Sequence, residues 1–214
     1  MFLKFPVVYL HPDMKDKILH KATEMFLNLG FKSVTMDDIA NELGVSKKTI
    51  YNHFSNKTDL INETTNAVFE TICSGIDLIC SKEENPIDEL YEIKRLSMEY
   101  LKNEKASPQY QLQKYYPKIY ATLKSKQFDV MQDCVIENLK RGVAQGFYRD
   151  TIDLGFISRI YFNGIMGLKD ADLFPLKQFS MNNIMSFYLE YHLRGICTEK
   201  GINKLNEIII NNQS

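Results

Sequence analysis

From position 46 the chain reads Ser-Lys-Lys-Thr-Ile-Tyr-Asn-His-Phe. Ser46 is a good helix N-cap. Ile50 and Phe54, four apart, then share one face with Val45 and turn inward, so Lys48 and Asn52 lie on the opposite face. Thr49 and Tyr51 flank them, and Lys47 sits near the helix start. Lysine can donate to guanine O6 and N7 or to phosphate, and asparagine can pair with adenine N6 and N7 together. Threonine and tyrosine hydroxyls bond phosphate oxygens and so set register. This is equipment for reading double-stranded DNA through its major groove. From Ser46 to Thr58 there are three lysines, including Lys57, one histidine (His53) and no acid. Lys57 also opens the next helix, where its charge and the helix N-terminus both favour a phosphate. A plain solvated helix could carry two lysines as well, so the surrounding pattern has to decide.

That pattern is a helix, a turn and a helix. Ile18, Ala22 and Phe26 predict a first helix over about 14–29, with Gly30 as its C-cap and Phe31 turning back to the core. Thr35 and Asp38 are spaced as a capping box for a second helix, whose apolar face is Ile39, Ala40 and Leu43. Gly44 supplies the turn before Ser46. Asn56 caps a long fourth helix over about 57–80. Asn85-Pro86 and Ser107-Pro108 open a fifth and a sixth. A helical stretch from Pro117 to Ala144, one helix or two, follows a proline break, and residues 146–150 read as a turn. Further helices are expected over about 153–169, 180–195 and from Thr198 to Asn211, with a loop at 171–177. The predicted class is all-α: a three-helix unit over 14–60, then a larger helical regulatory and dimerisation unit over 61–214. Residues 1–13, apolar but broken by Pro6 and Pro12, are expected to be a weakly ordered extension or to follow from an upstream start codon.

The joint pattern resembles the tetracycline-repressor (TetR) family of bacterial transcription regulators. The residues that carry it are Ala22 and Phe26, Gly30-Phe31, Thr35, Asp38-Ile39-Ala40, Gly44-Val45-Ser46, and Thr49 to Phe54 with Lys57, within roughly positions 15 to 60. The resemblance implies a phosphate contact at Thr35, base or backbone contacts at Lys47, Lys48 and Thr49, backbone contacts at Tyr51 and His53, and a phosphate-binding lysine at Lys57. Asn52 stands where the family varies, so its part as a base reader comes from its own chemistry. His53 could instead pack at the helix end.

The resemblance further implies a C-terminal body that dimerises and often holds a ligand. Interface candidates are Ile157, Ile160, Tyr161, Gly164, Ile165 and Leu168 on one helix, and Ile184, Tyr188 and Tyr191 on another; two such helices per subunit make a four-helix contact. Ligand-contact candidates are Tyr91, Tyr100, Tyr110, Tyr116, Tyr120, Phe128, Phe162 and Met166, although aromatics at helical spacing are more often core. The expected partners are a near-palindromic DNA operator, a second copy of the chain, and an apolar or amphipathic small-molecule effector that releases a repressor. Control by a protein partner, control without a ligand, and activation rather than repression stay open.

Composition sets the remaining bounds. The chain has 214 residues, 44% hydrophobic and 25% charged, with net charge −1, so any hold on DNA must come from a local patch. Four cysteines without CxxC spacing give no support to a zinc or redox motif and suit core packing in a reducing cytoplasm. No glycine-rich phosphate loop, zinc-like cluster or nucleophile elbow is found, so neither enzyme activity nor a cofactor or metal is expected. The apolar start is too short to span a bilayer, and no membrane association is expected. A purely structural helical dimer would not need the lysine patch.

Overall fold

The computed structural model describes residues 13–101, 108–170, 172–175 and 178–211, so the expectations for residues 1–12 lie outside it. Among the described residues the architecture is all-α. The helices are α1 (Met14–Leu29), α2 (Met36–Leu43), α3 (Lys47–His53), α4 (Lys57–Cys80), α5 (Pro86–Leu101), α6 (Pro108–Tyr115), α7 (Pro117–Ala144), α8 (Leu154–Gly167), α9 (Met181–Ile196) and α10 (Glu199–Asn211). The stretch after Pro117 is one helix, with Pro at its start where no intrahelical N–H is needed.

Local chemistry sets these limits. Asp13, Asn56, Asp153 and Ser180 each accept a backbone N–H from the first turn of α1, α4, α8 and α9. Thr35 and Asp38 form the reciprocal capping box of α2. Among the described residues no helix is long and apolar enough to cross a membrane.

Two cores hold the chain. The first joins Ile18, Ala22 and Phe26 of α1, Ile39 of α2, Ile50 of α3, Phe54, and Leu60 and Ile61 of α4. It also takes Leu112 from α6, with Tyr116, Ile119, Tyr120 and Leu123 packed against it. The N-terminal three-helix unit is therefore seated on α6 and the start of α7 as well as hung from α4. The second core joins Ile87, Leu139, Tyr161, Leu189, Leu193 and Leu205 across α5, α7, α8, α9 and α10.

A polar knot sits inside the body. Glu89 is 1% exposed and pairs with Arg141, while Asn138 Nδ2 donates to Glu89 Oε1 (2.7 Å) and to the Pro86 carbonyl (2.9 Å). The buried Tyr148 hydroxyl donates to Asn138 Oδ1 at 3.1 Å. These bonds tie α5 to α7, and each polar group is matched by another, as burial requires.

His192 of α9 is buried, with the Tyr161 ring centroid 4.6 Å from its own, and burial lowers its pKa to about 4. Since the folded value lies below the unfolded one of about 6.5, the unfolded chain takes up this proton first as pH falls. The stability that a neutral His192 allows is complete above pH 6.5. It declines by as much as about 3 kcal/mol as pH falls towards 4. Urea midpoints measured across that range will decline less steeply for His192→Phe than for the parent chain.

Candidate nucleic-acid interface and body cavity

The putting-together of α2 and α3 depends on Gly44. Its φ of 65° and ψ of 30° are left-handed, and its N–H donates to the Ala40 and Asn41 carbonyls, closing α2. Val45 N then donates back to Ala40 O at 3.0 Å. Ser46 Oγ accepts the Thr49 N–H at 3.1 Å and lies 2.8 Å from Thr49 Oγ1. Ile50 and Phe54 are buried as expected and lock α3 to α1 and α2.

With that face inward, Lys47, Lys48, Tyr51, Asn52 and His53 are exposed and Thr49 is half-buried. His53 does not pack into the helix end, since its side chain is open to solvent. The lysines differ in a way the sequence did not suggest. Lys47 Nζ forms an ion pair with Asp37 Oδ2 at 2.8 Å, and that bond raises its pKa. The patch expected to be unpaired is thus partly closed by an acid of α2, ten positions earlier in the chain. Lys48 makes no ion pair among the described residues.

Thr35 is also engaged. Its hydroxyl and its backbone N–H both donate to Asp38 Oδ2, each at 2.8 Å, and these bonds hold the Asp38 carboxyl below its usual pKa. A phosphate at Thr35 would have to compete with Asp38 for the hydroxyl proton. Lys57 is half-buried at the first position of α4; burial lowers its pKa, and nearby Asp38 partly offsets this. An arriving phosphate would favour its charged form.

In the body, a cavity of about 230 Å³ runs between α1, α4, α5, α6, α7 and α8 and the adjoining part of α9. Of the expected ligand contacts, Met166 lines it. The other described ones are placed elsewhere. Tyr91 packs on the second core, and Tyr116 and Tyr120 pack on the first. Phe128 and Phe162 meet edge to face at 5.2 Å, and the exposed Tyr110 accepts a bond from Lys114. The Tyr100 side chain lies outside the described residues. The wall is instead mainly aliphatic, with Phe26, Phe31, Phe69, Tyr161 and Tyr188 as its aromatic members, and much of it comes from α4. The run Thr65, Phe69, Ile72 and Ile76 was a visible signal, an apolar stripe continuing past the part of α4 that closes the N-terminal unit.

The expected interface stripe also turns inward. Tyr161, Ile165, Leu168 and Ile184 are buried within the chain, and Ile157 packs against the second core. The Tyr188 hydroxyl donates to the carbonyls of Ile160 (3.0 Å) and Tyr161 (3.1 Å). It passes over Gly164, where a Cβ would come within 2.1 Å of the hydroxyl oxygen. These residues form the seam between α8 and α9 of one chain. The apolar side chains left in solvent are Phe156 (61% exposed) and Ile160 (46%) on α8, and Phe187 (65%) and Tyr191 (76%) on α9. Of the expected interface residues, Ile160 and Tyr191 are among these four.

An N-terminal helix-turn-helix with a solvent-facing cationic helix, set on a larger helical body, defines the class of protein. Residues 18–64 match the profile of bacterial regulatory proteins of the tetR family. The chain is 32% identical over 79 residues to IcaR of Staphylococcus aureus, the negative transcriptional regulator of the biofilm operon icaADBC. That match covers 37% of this chain and 42% of IcaR, less than half of that relative's length. It is 24% identical over 152 residues to the transcriptional repressor KstR2 of Mycolicibacterium smegmatis, covering 68% of this chain and 72% of KstR2. Among solved structures, SmeT, the repressor of a Stenotrophomonas maltophilia multidrug efflux pump, superposes with a TM-score of 0.68 at 15% identity, covering 87% of this chain and 92% of SmeT. Its complex with triclosan gives 0.60 at 18% identity, over 86% and 92%. At such identities the structural likeness speaks for the fold. The relatives named are transcription regulators rather than enzymes.

Proposed function

We propose that the chain is a sequence-specific DNA-binding transcription regulator, a homodimeric repressor that a small molecule releases from its operator. The observation that carries this is α3, held from behind by Ile50 and Phe54 while Lys47, Lys48, Tyr51, Asn52 and His53 face solvent together. Lys48 and Asn52 read bases. Thr35, Ser46, Lys47, Thr49, Tyr51, His53 and Lys57 serve the backbone and the register. Two heads enter successive major grooves of a near-palindromic site, about one helical turn or a little more apart.

Release is favoured by what the cavity shares with the head. Phe26, Phe31 and Leu112 belong both to its wall and to the head's core. An occupant therefore touches the packing that aims α3. If it binds better to one head spacing than another, it shifts the population accordingly. SmeT, which shares the fold, has been solved with triclosan, in keeping with an effector here.

The test is a mobility shift with the DNA upstream of the protein's own gene. Binding that weakens steeply with salt is expected, because bound lysines displace counterions. Absence of any sequence-preferred binding would overturn the reading. For the dimer, Phe156, Ile160, Phe187 and Tyr191 are the apolar surface available for a second copy. Phe187→Glu with Tyr191→Glu should halve the mass seen by light scattering at micromolar protein and weaken operator binding. An unchanged mass would place the interface elsewhere.

A further inference from the structure

Two cysteines 54 positions apart in the chain meet where α4 ends against α7. Cys80 closes α4, Cys134 lies within α7, and their Sγ atoms are 3.5 Å apart as two free thiols. A disulfide between them requires the sulfurs to close by only about 1.5 Å. The pair is asymmetric. A hydrogen bond from Cys134 holds the Cys80 thiol below its usual pKa; burial opposes this, and Arg141 adds to it. The same bond and burial push Cys134 up. Cys80 is therefore the better source of thiolate, the form that reacts. It is also the reachable one, since the exposed residues 81–84 follow it directly. Cys73 and Cys197 differ, because burial raises the pKa of each. The site bears on the head through both of its helices. Leu60 and Ile61 of α4 lie in the head's core, and Ile119, Tyr120 and Leu123 of α7 pack against it. From Ile61 to Cys80, α4 is a lever of roughly 28 Å.

We propose that Cys80 and Cys134 are a redox switch, which a hydroperoxide converts to an intrachain disulfide that ties the end of α4 to α7 and weakens the hold on DNA. The last step rests on the DNA-binding reading of α3. The Cys80 thiolate attacks the outer oxygen of the hydroperoxide. The O–O bond breaks, and the alkoxide (hydroxide, from hydrogen peroxide) leaves with the proton that Cys80 gave up. Cys80 is then a sulfenic acid. The Cys134 sulfur attacks it, the S–O bond breaks, and the hydroxyl departs as water with the Cys134 proton. Two thiols and one hydroperoxide thus give one disulfide, one alcohol and one water. Drawing the sulfurs together tilts α4 against α7 at the body end, and the lever carries that tilt to the head. A thiol reductant reverses the change, as suits a sensing disulfide.

The full chain is reduced, freed of reductant and treated with hydrogen peroxide and, separately, with cumene hydroperoxide. Non-reducing peptide mapping by mass spectrometry should find the Cys80–Cys134 cross-link within one chain, with two of the four thiols lost. Cys134→Ser should instead leave Cys80 as a sulfenic acid that dimedone traps, and Cys80→Ser should leave Cys134 unmodified at the same dose. Cys73→Ser should cross-link as the parent does. The oxidised parent should bind the operator about tenfold more weakly than the reduced one, a size usual for coupling between sites, and dithiothreitol should restore it. Cys134→Ser should bind equally before and after peroxide. Cross-links through other cysteines, cross-links only between chains, or no cross-link with either peroxide would each overturn the pair. A complete Cys80–Cys134 cross-link with unchanged operator affinity would overturn the switch. The parent chain is mapped without any substitution, so a variant that folds poorly cannot hide the answer. Cross-linking in a chain that binds no operator in either state would sink the DNA reading, and the switch with it, while the peroxide-reactive pair would stand.

Discussion

Exchanging Lys48 and Asn52 together for alanine should lower affinity for the specific operator about a hundredfold or more while leaving folding stability within about 0.5 kcal/mol. Both side chains are exposed, so truncation removes no core contact. A bidentate asparagine–adenine pair is worth about 1–3 kcal/mol of discrimination, and a homodimer loses it twice. Lys48 adds a contact for which the free protein offers no competing ion pair among the described residues. The loss should fall mostly on the specific site, so the ratio of specific to non-specific affinity shrinks. The slope of affinity against salt should also become shallower by roughly one for each phosphate-contacting lysine removed. Tyr51→Phe should behave differently, weakening specific and non-specific sites alike. Unchanged operator affinity in the double variant, with folding intact, would mean that α3 is not the reader.

Glu89→Ala should destabilise the body by about 3–5 kcal/mol, enough to unfold an appreciable fraction of many domains. The carboxylate is buried, and its removal strands Arg141 and takes one acceptor from Asn138. The dominant cost is the uncompensated charge rather than the lost attraction, and this can be checked. Glu89→Met with Arg141→Met should recover most of the stability, because neither charge is then left alone. Urea denaturation at fixed protein concentration measures both, the concentration being held because dimerisation would contribute to the midpoint. A cost below about 1 kcal/mol for Glu89→Ala would mean that water reaches Arg141 freely.

Much of this molecule is decided by short-range chemistry and is therefore legible in the chain. The starts of α1, α2, α3 and α4 follow from Asp13, Thr35, Ser46 and Asn56, each accepting an N–H within three residues of itself. Pro86, Pro108 and Pro117 open helices because their missing N–H costs nothing there. The inward turn of Ile50 and Phe54 follows from their four-residue spacing. For these features the competing forces act within one or two turns of chain, so all-α architecture and a solvent-facing Lys48 and Asn52 needed no knowledge of the rest.

The tertiary structure alone decided which partner each surface meets. The α8 and α9 stripes have apolar residues on more than one face, and periodicity marks both faces equally. Packing assigned Tyr161, Ile165 and Ile184 to the chain's own interior and left Phe156, Phe187 and Tyr191 outside. Tyr91, Tyr116 and Tyr120, expected to line a pocket, were spent on the two cores, whereas α4 supplied much of the cavity wall. Lys47 looked unpaired because its acid, Asp37, is brought to it by the crossing of α2 and α3. Burial is a competition among all apolar faces for a limited interior, and ion pairs depend on how helices cross. Both outcomes join residues ten or more positions apart, as in Lys47 with Asp37 and Lys204 with Asp88, beyond the reach of any local pattern.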